Sequence, residues 1–166
     1  MQDWKSLKIS DLEALPVGLR VVIPDDYSDA NCHMNVMWYT HLFSRSLEDF
    51  FRHVGLTYEY FAANQVSTFA LASHTRYFNE VRVGQQVTVR TRAIGRSDRR
   101  FHLLHLMTND DRQVLAATME GVGTHVDMRL RKSSPFPEAV AAAFDRMLQE
   151  HNALPWPPLL CGALKP

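Results

Sequence analysis

A chain of 166 residues, 46% hydrophobic and 22% charged, has the length and composition for one sizeable core and not those of a disordered segment. Its 18 basic and 18 acidic residues cancel, which argues against a nucleic-acid partner, because phosphate binding normally needs a net basic face. Cys32 and Cys161 lie too far apart to make a disulfide framework, the opening stretch MQDWKSLKISDLEALP carries acids and no apolar core, and no apolar run approaches membrane-spanning length. The expectation is a cytoplasmic single domain over 1–166, with no membrane partner.

In chain order, residues 4–14 read as a short leading helix or turn that stops before Pro16. VGLRVVIP, 17–24, has the β-branched content of a first strand ending at a proline. The polar loop DDYSDANCH suits turns. From Asn35 to about Val54 the pattern is helical: Val36, Tyr39, Phe43, Leu47, Phe50 and Val54 recur at three- and four-residue steps. Met37, Trp38 and Leu42 make the first turns apolar nearly all round, and Arg45, Glu48, Asp49 and Arg52 mark a wet face later. The helix is therefore expected to be buried at its beginning and half exposed at its end, with Gly55 as its stop. A short helix over 57–64 precedes strands over 66–81, 85–95, 99–108 and 113–128, separated by turn-like EVRVG, GRSD and TNDD. PFPEAVAAAFDRML, 135–148, opens with Pro and Glu as a terminal helix does, and the tail is Pro-rich. Four long antiparallel strands after one apolar helix must bury a face against it. The fold class is α+β, a sheet wrapped around a central helix, with a core over about 17–130 and a C-terminal helix and tail over 135–166.

The stretch SDANCHMNVMWY, 28–39, aims Asp29, His33 and Asn35 at the start of the long helix. A helix N-terminus has unpaired amides and the positive end of the macrodipole. Amides near Asn35, Val36 and Met37 can hold an oxygen that becomes anionic during a reaction. A carboxylate leaning over the same point can activate water or attack directly. That combination suits hydrolysis of an activated acyl group.

The same stretch resembles the D-x-x-G-H-x-N-x-x-x-Y signature of hotdog-fold acyl-CoA thioesterases of the 4-hydroxybenzoyl-CoA type. STFALASHTRYFNEVRVGQQVTVRT, RRFHLLHLM, LAATMEGVGTHVDM and PFP resemble a subgroup also found fused behind carnitine dehydrogenases, for which betainyl-CoA is the implied substrate. The likeness covers roughly 17–158. It implies hydrolysis of a small or medium acyl-CoA with no cofactor beyond the CoA of the substrate. It puts the catalytic carboxylate, base or nucleophile, at Asp29, and the carbonyl-polarising amide at or near Val36. His33 and Asn35 take loop-shaping roles, and Tyr39 lines the acyl pocket. It further implies a homodimer or dimer of dimers whose sheets join, with the site at the interface; Thr68 and His74 then become candidates to face the pocket. Arg90, Arg92, Arg96, Arg99 and Arg100 are candidates for the CoA phosphates. Trp38, Tyr39, Phe69 and Tyr77 are candidates to shape an aromatic pocket able to take a quaternary ammonium. Cys32 departs from the pattern, standing where the family has Gly; a positive φ there costs a cysteine of order 1–3 kcal/mol.

Each residue also has a plainer reading. Asn35 can be an N-cap, Asp29 an Asx-turn acid, His33 a structural hydrogen-bonding residue and the arginine stretch a solvated hairpin. Glu48, on the wet side of the helix, reads as a surface acid, with a fallback catalytic role because some hotdog thioesterases place their carboxylate on this helix. His102 and His105 point to opposite sides of a strand. Cys32, His33 and His41 lack a fourth ligand for a metal, and none is expected. Two other functions compete. A hotdog enoyl-CoA hydratase needs D-x-N-x-x-H, but in DANCH the histidine comes one residue early. A non-catalytic acyl-CoA sensor would need a partner-binding segment.

Overall fold

A computed structural model describes residue 4 and residues 7–166. In chain order they form α1 (Ile9–Leu12), β1 (Val17–Val22), α2 (Val36–His53), α3 (Tyr58–Asn64), β2 (Val66–Tyr77), β3 (Gln86–Arg96), β4 (Arg100–Asn109), β5 (Val114–Asp127), β6 (Lys132–Ser133) and α4 (Glu138–Asn152). The leading segment expected over 4–14 contributes α1; its residues 5 and 6 lie outside the described ones. The strands run β1-β3-β4-β5-β2, every pair antiparallel, and β6 joins β5. Register shifts between Ala70 and Ala72 and between Ala93 and Gly95 place extra residues in β2 and β3, which bends a sheet and increases its twist.

Local chemistry fixes both ends of α2. The Asn35 side chain accepts from the Met37 amide at 3.0 Å, an N-cap bond. At the other end Gly55 has φ 84°, Leu56 N–H donates to Phe51 O and Gly55 N–H to Arg52 O, which is a Schellman stop. Tyr39, Leu42 and Phe43 pack on Val87, Val89, Met107 and Ala117 of the sheet. Phe50, Phe51 and Val54 pack on Ala93, Phe101 and Leu103, together with Phe136 and with Phe144 of α4. Full burial of one such phenyl ring stabilises by roughly 1.5–3 kcal/mol. On the other face of the sheet α1 and the C-terminal tail bring Leu12, Leu15, Trp156 and Leu159 onto Leu104, Leu106 and Leu115. Covered on both faces, β4 is buried continuously from Phe101 to Asn109, which explains why it does not alternate like a half-exposed strand.

Two expectations need correction. The helix opening is not its buried part: Val36 and Met37 are 61% and 59% exposed, whereas Phe50 and Phe51 near the end are buried. Val36 walls a cleft instead of lying under strands. The strand expected over 66–81 also ends early, at Tyr77. Phe78 and Asn79 both donate to Ala116 O, which ends the ladder and turns 78–81 back toward the start of α2. Among the described residues no helix is long and apolar enough to cross a membrane.

His102 and His105 do stand on opposite faces of β4. His105 is in the α2 core, its Nδ1 2.8 Å from Thr91 Oγ1, which meets Ser46 Oγ at 3.3 Å. Burial pushes it down to about 4. His151 of α4 is also held at about 4, first by burial and then by Arg92, and its Nδ1 accepts the Ala93 amide at 2.8 Å, which requires a neutral ring. Both folded values lie below the ~6.5 of an unfolded histidine, so the stability they carry is complete above about pH 6.5 and is lost as pH falls toward 4. Each histidine contributes a slope of about 1.4 kcal/mol per pH unit in that window. Urea unfolding between pH 7 and 4.5 should show it, and NMR should find both rings untitrated at pH 5.5; a flat stability over this range is the contrary result.

Candidate active site

The loop between β1 and α2 is a closed turn. Asp29 N–H donates to His33 O at 2.8 Å, Cys32 N–H to Asp29 O at 3.1 Å, and Met34 N–H to Val81 O at 2.7 Å. Cys32 sits at φ 61°, the left-handed conformation that suits the glycine of the resembling pattern and costs another residue roughly 1–2 kcal/mol. The cysteine therefore keeps the loop geometry under strain. Asp29 Oδ1 accepts the amides of Asn31 at 2.8 Å and His33 at 3.2 Å, so the Asx turn of the plainer reading is present. The Asn31 amide first, then that of His33, holds the carboxyl below its ordinary range, and it stays ionised at neutral pH. The charge of His33 and the Asn31 side chain add smaller pulls in the same direction.

The first turn of α2 offers fewer amides than a bare helix end. Asn35 N–H donates to Tyr27 O at 2.9 Å, Met37 N–H to the Asn35 side chain, and Trp38 N–H to Asn35 O at 3.0 Å. Among the described residues this leaves the Val36 N–H as the first-turn donor without a protein acceptor. Of the three expected amides, those of Asn35 and Met37 are engaged, because Asn35 is the cap.

Asp29, His33, Val36 and Tyr39 line one cleft of about 330 Å³, joined by Tyr77, Phe78 and Glu80. His33 Nε2 lies 2.7 Å from Glu80 Oε2, so the ring bridges the loop to the segment after β2 and takes a holding position. Tyr39 is buried and stands edge-on to Tyr77, ring centroids 5.1 Å apart. Burial, against an opposing bond from the Val81 backbone, pushes its hydroxyl up to about 12, so it stays neutral. Glu80, Phe78 and Asn79 are not apparent as site residues in the sequence because they continue a strand-like run; the one signal there is the turn-like EVRVG that begins at Glu80.

Other expected site residues fall elsewhere. Thr68 lines a neighbouring hollow of about 310 Å³ with Thr40, Ser44 and Leu47. Those three continue the flank of α2 that Val36 begins, so this hollow follows the cleft along the α2–β2 groove. His74 is absent from both linings; it pairs with Glu120 of β5 and lies by Cys161. Arg96 is bound to Asp145 of α4 at 2.5 and 2.7 Å, and Arg99 to Asp98 at 2.9 Å. Arg90 donates to Leu15 O, and buried Arg92 stacks 4.2 Å over Trp156. Of the five arginines Arg100 alone keeps its side chain without a described partner, and it opens β4. Net charge showed the cations but not the carboxylates and carbonyls that the fold brings to them. Trp38 stacks on Tyr27, centroids 3.7 Å apart, outside the cleft lining, and Phe69 faces outward with Arg131 5.7 Å over its ring. Glu48 contacts Tyr58 three turns down the helix. Cys32, His33 and His41 do not gather as ligands among the described residues.

A curled antiparallel sheet wrapped around one long helix is the hotdog architecture. A Staphylococcus aureus protein solved in complex with CoA shares it, with a TM-score of 0.79 over 86% of this chain and 90% of that one at 24% identity. The model of the thioesterase-like superfamily matches residues 22–144, and the chain belongs to that superfamily. It is 30% identical to the betainyl-CoA thioesterase of Pseudomonas aeruginosa over 82% of this chain and 85% of that one. It is 33% identical to the L-carnitine dehydrogenase/betainyl-CoA thioesterase of Agrobacterium fabrum over 76% of this chain, spanning 26% of that longer protein.

Proposed function

We propose that this chain hydrolyses a small acyl-CoA to the free acid and CoA at the Asp29 cleft. The observation that carries the reading is the hydrogen-bond pattern that leaves the Val36 N–H without an acceptor in the cleft that holds Asp29. The thioester oxygen accepts from Val36 N–H, and Asp29 takes a proton as water adds to the carbonyl carbon. The carbonyl π pair moves to oxygen as an oxyanion on the amide; when it returns, the C–S bond breaks and CoA leaves as a thiolate that takes up the proton. If Asp29 adds directly, its oxygen forms an acyl anhydride that water then opens. His33, tied to Glu80, holds the loop. Thiol release from an acyl-CoA panel tests this. Loss of enoyl absorbance without thiol release would instead make the chain a hydratase, and binding with neither would make it an acyl-CoA-binding protein.

The acyl group we infer is a quaternary ammonium acid such as betaine, supported by Tyr39, Tyr77 and Phe78 sharing a cleft with Asp29 and Glu80 and by the betainyl-CoA thioesterase activity for which the relatives are named. Aromatic faces and carboxylates both attract a cation that carries no N–H. Betainyl-CoA and 3,3-dimethylbutanoyl-CoA have the same shape and differ by one charge. A cation–π preference of about 0.5–2 kcal/mol predicts kcat/KM higher for betainyl-CoA by roughly 2- to 30-fold. Equal values would remove the cationic reading and leave hydrolysis standing.

We also infer a homodimer formed through β2. This strand has β5 as its neighbour on one side only and exposes Phe69, Leu71 and Tyr77, an edge that is prone to pair with another chain. Sedimentation that finds a monomer at micromolar concentration would overturn it. The two cysteines are unpaired, which supports a reducing, cytoplasmic setting.

A further inference from the structure

We propose that His74, Glu120 and Cys161 bind one divalent transition-metal ion of the zinc type on the face of the sheet opposite α2, and that the ion ties the C-terminal tail to the strands. The three residues come from β2, β5 and the tail, and one ligand atom from each lies within 4.8 Å of the others. His74 and Glu120 are register partners across β2 and β5. Glu120 is 1% exposed, and its carboxylate is fixed by His102 Nε2 at 2.8 Å on one oxygen and by the Cys161 amide at 2.6 Å on the other. The second bond anchors the cysteine backbone beside the carboxylate, so the thiol is brought there by the fold. His102 then takes the supporting position that a ligating carboxylate needs.

One imidazole nitrogen, one thiolate and one carboxylate oxygen form a set that zinc accepts, with water as the fourth ligand. Bond lengths of about 2.0–2.3 Å put ligand atoms roughly 3.5 Å apart in a tetrahedron, so the group has to contract by about 1 Å. His74 is exposed and Cys161 sits in a tail, so both can move while Glu120 stays. Charge balances: Cys161 releases its proton to solvent, and one thiolate and one carboxylate neutralise the dication. The tail already leans on this face through Arg92 to Trp156 O at 2.7 Å, Arg76 to Leu159 O at 2.6 Å and the Cys161 amide to Glu120, and the ion adds a fourth tie. Local spacing in the sequence could not show the site, because its ligands come from three distant elements.

The test is Co²⁺ titration of the full chain after chelator treatment. One equivalent should give tetrahedral visible bands with a thiolate-to-cobalt band, displaced by Zn²⁺. Cys161→Ser should abolish the thiolate band, His74→Gln should weaken binding by at least about tenfold, and Cys32→Ser should leave both unchanged. Zn²⁺ should raise the unfolding midpoint of the parent chain and of Cys32→Ser, but not of Cys161→Ser. Absence of a stoichiometric cobalt spectrum, or its survival in Cys161→Ser, overturns the proposal. Thioester hydrolysis lies on the other face and is measured separately.

Discussion

Asp29→Asn should lower kcat/KM for the best acyl-CoA substrate by about 10²- to 10⁴-fold, the range a positioned general base supplies, and leave CoA affinity and the unfolding midpoint nearly unchanged. The isostere keeps the oxygen that accepts the Asn31 and His33 amides, so the turn from Asp29 to His33 keeps its internal bonds. What disappears is the negative charge of the carboxylate. Both routes, water activation and direct attack, need that charge, so either one predicts the same loss. A variant that folds, binds CoA and still turns over within about threefold of the parent would mean that the carboxylate is only a turn residue, and Glu80 would be the next acid to replace. Because amide bonds hold Asp29 below the usual carboxylate range, the acid limb of the kcat/KM profile should fall below that of an ordinary aspartate.

The parts of this molecule that were legible in its sequence are those set by neighbours along the chain. The Asn35 cap, the spacing of the α2 core residues and the Gly55 stop each depend on residues within a turn or two, and each was readable. The positive φ at Cys32 was foreseeable from the pattern that has glycine there. The single available amide was not legible. That Tyr27 O takes the Asn35 N–H depends on where a turn eight residues upstream is folded. Apolar residues at a helix start are commonly buried; here Val36 is exposed because it walls a cleft. Glu80 is hidden in a continuous strand-like run, and the two bonds onto Ala116 O, which end β2, with that of Met34 N–H to Val81 O, bring it to His33. The partners of the arginines are hidden for the complementary reason: Asp145 comes from a helix far along the chain to meet Arg96.

Val36→Pro tests the other half of the site. Proline removes the N–H and leaves little else to repair, since the first helical position is where the residue is best tolerated and its amide has no intrahelical partner in any case. The residue before proline must be extended, and Asn35 already is, at φ −60° and ψ 143°. The Asn35 bond to Met37 is unaffected, so α2 should keep its length and its packing on the sheet. Loss of one oxyanion donor costs roughly 10²- to 10³-fold in kcat, with a smaller change in KM, because the charge on the carbonyl oxygen develops after binding. Val36→Ala controls for the side chain: it keeps the N–H and should retain most of the turnover. If Val36→Pro folds and its kcat stays within about threefold of Val36→Ala, the oxyanion is held elsewhere, and the cap pattern around Asn35 serves only the helix.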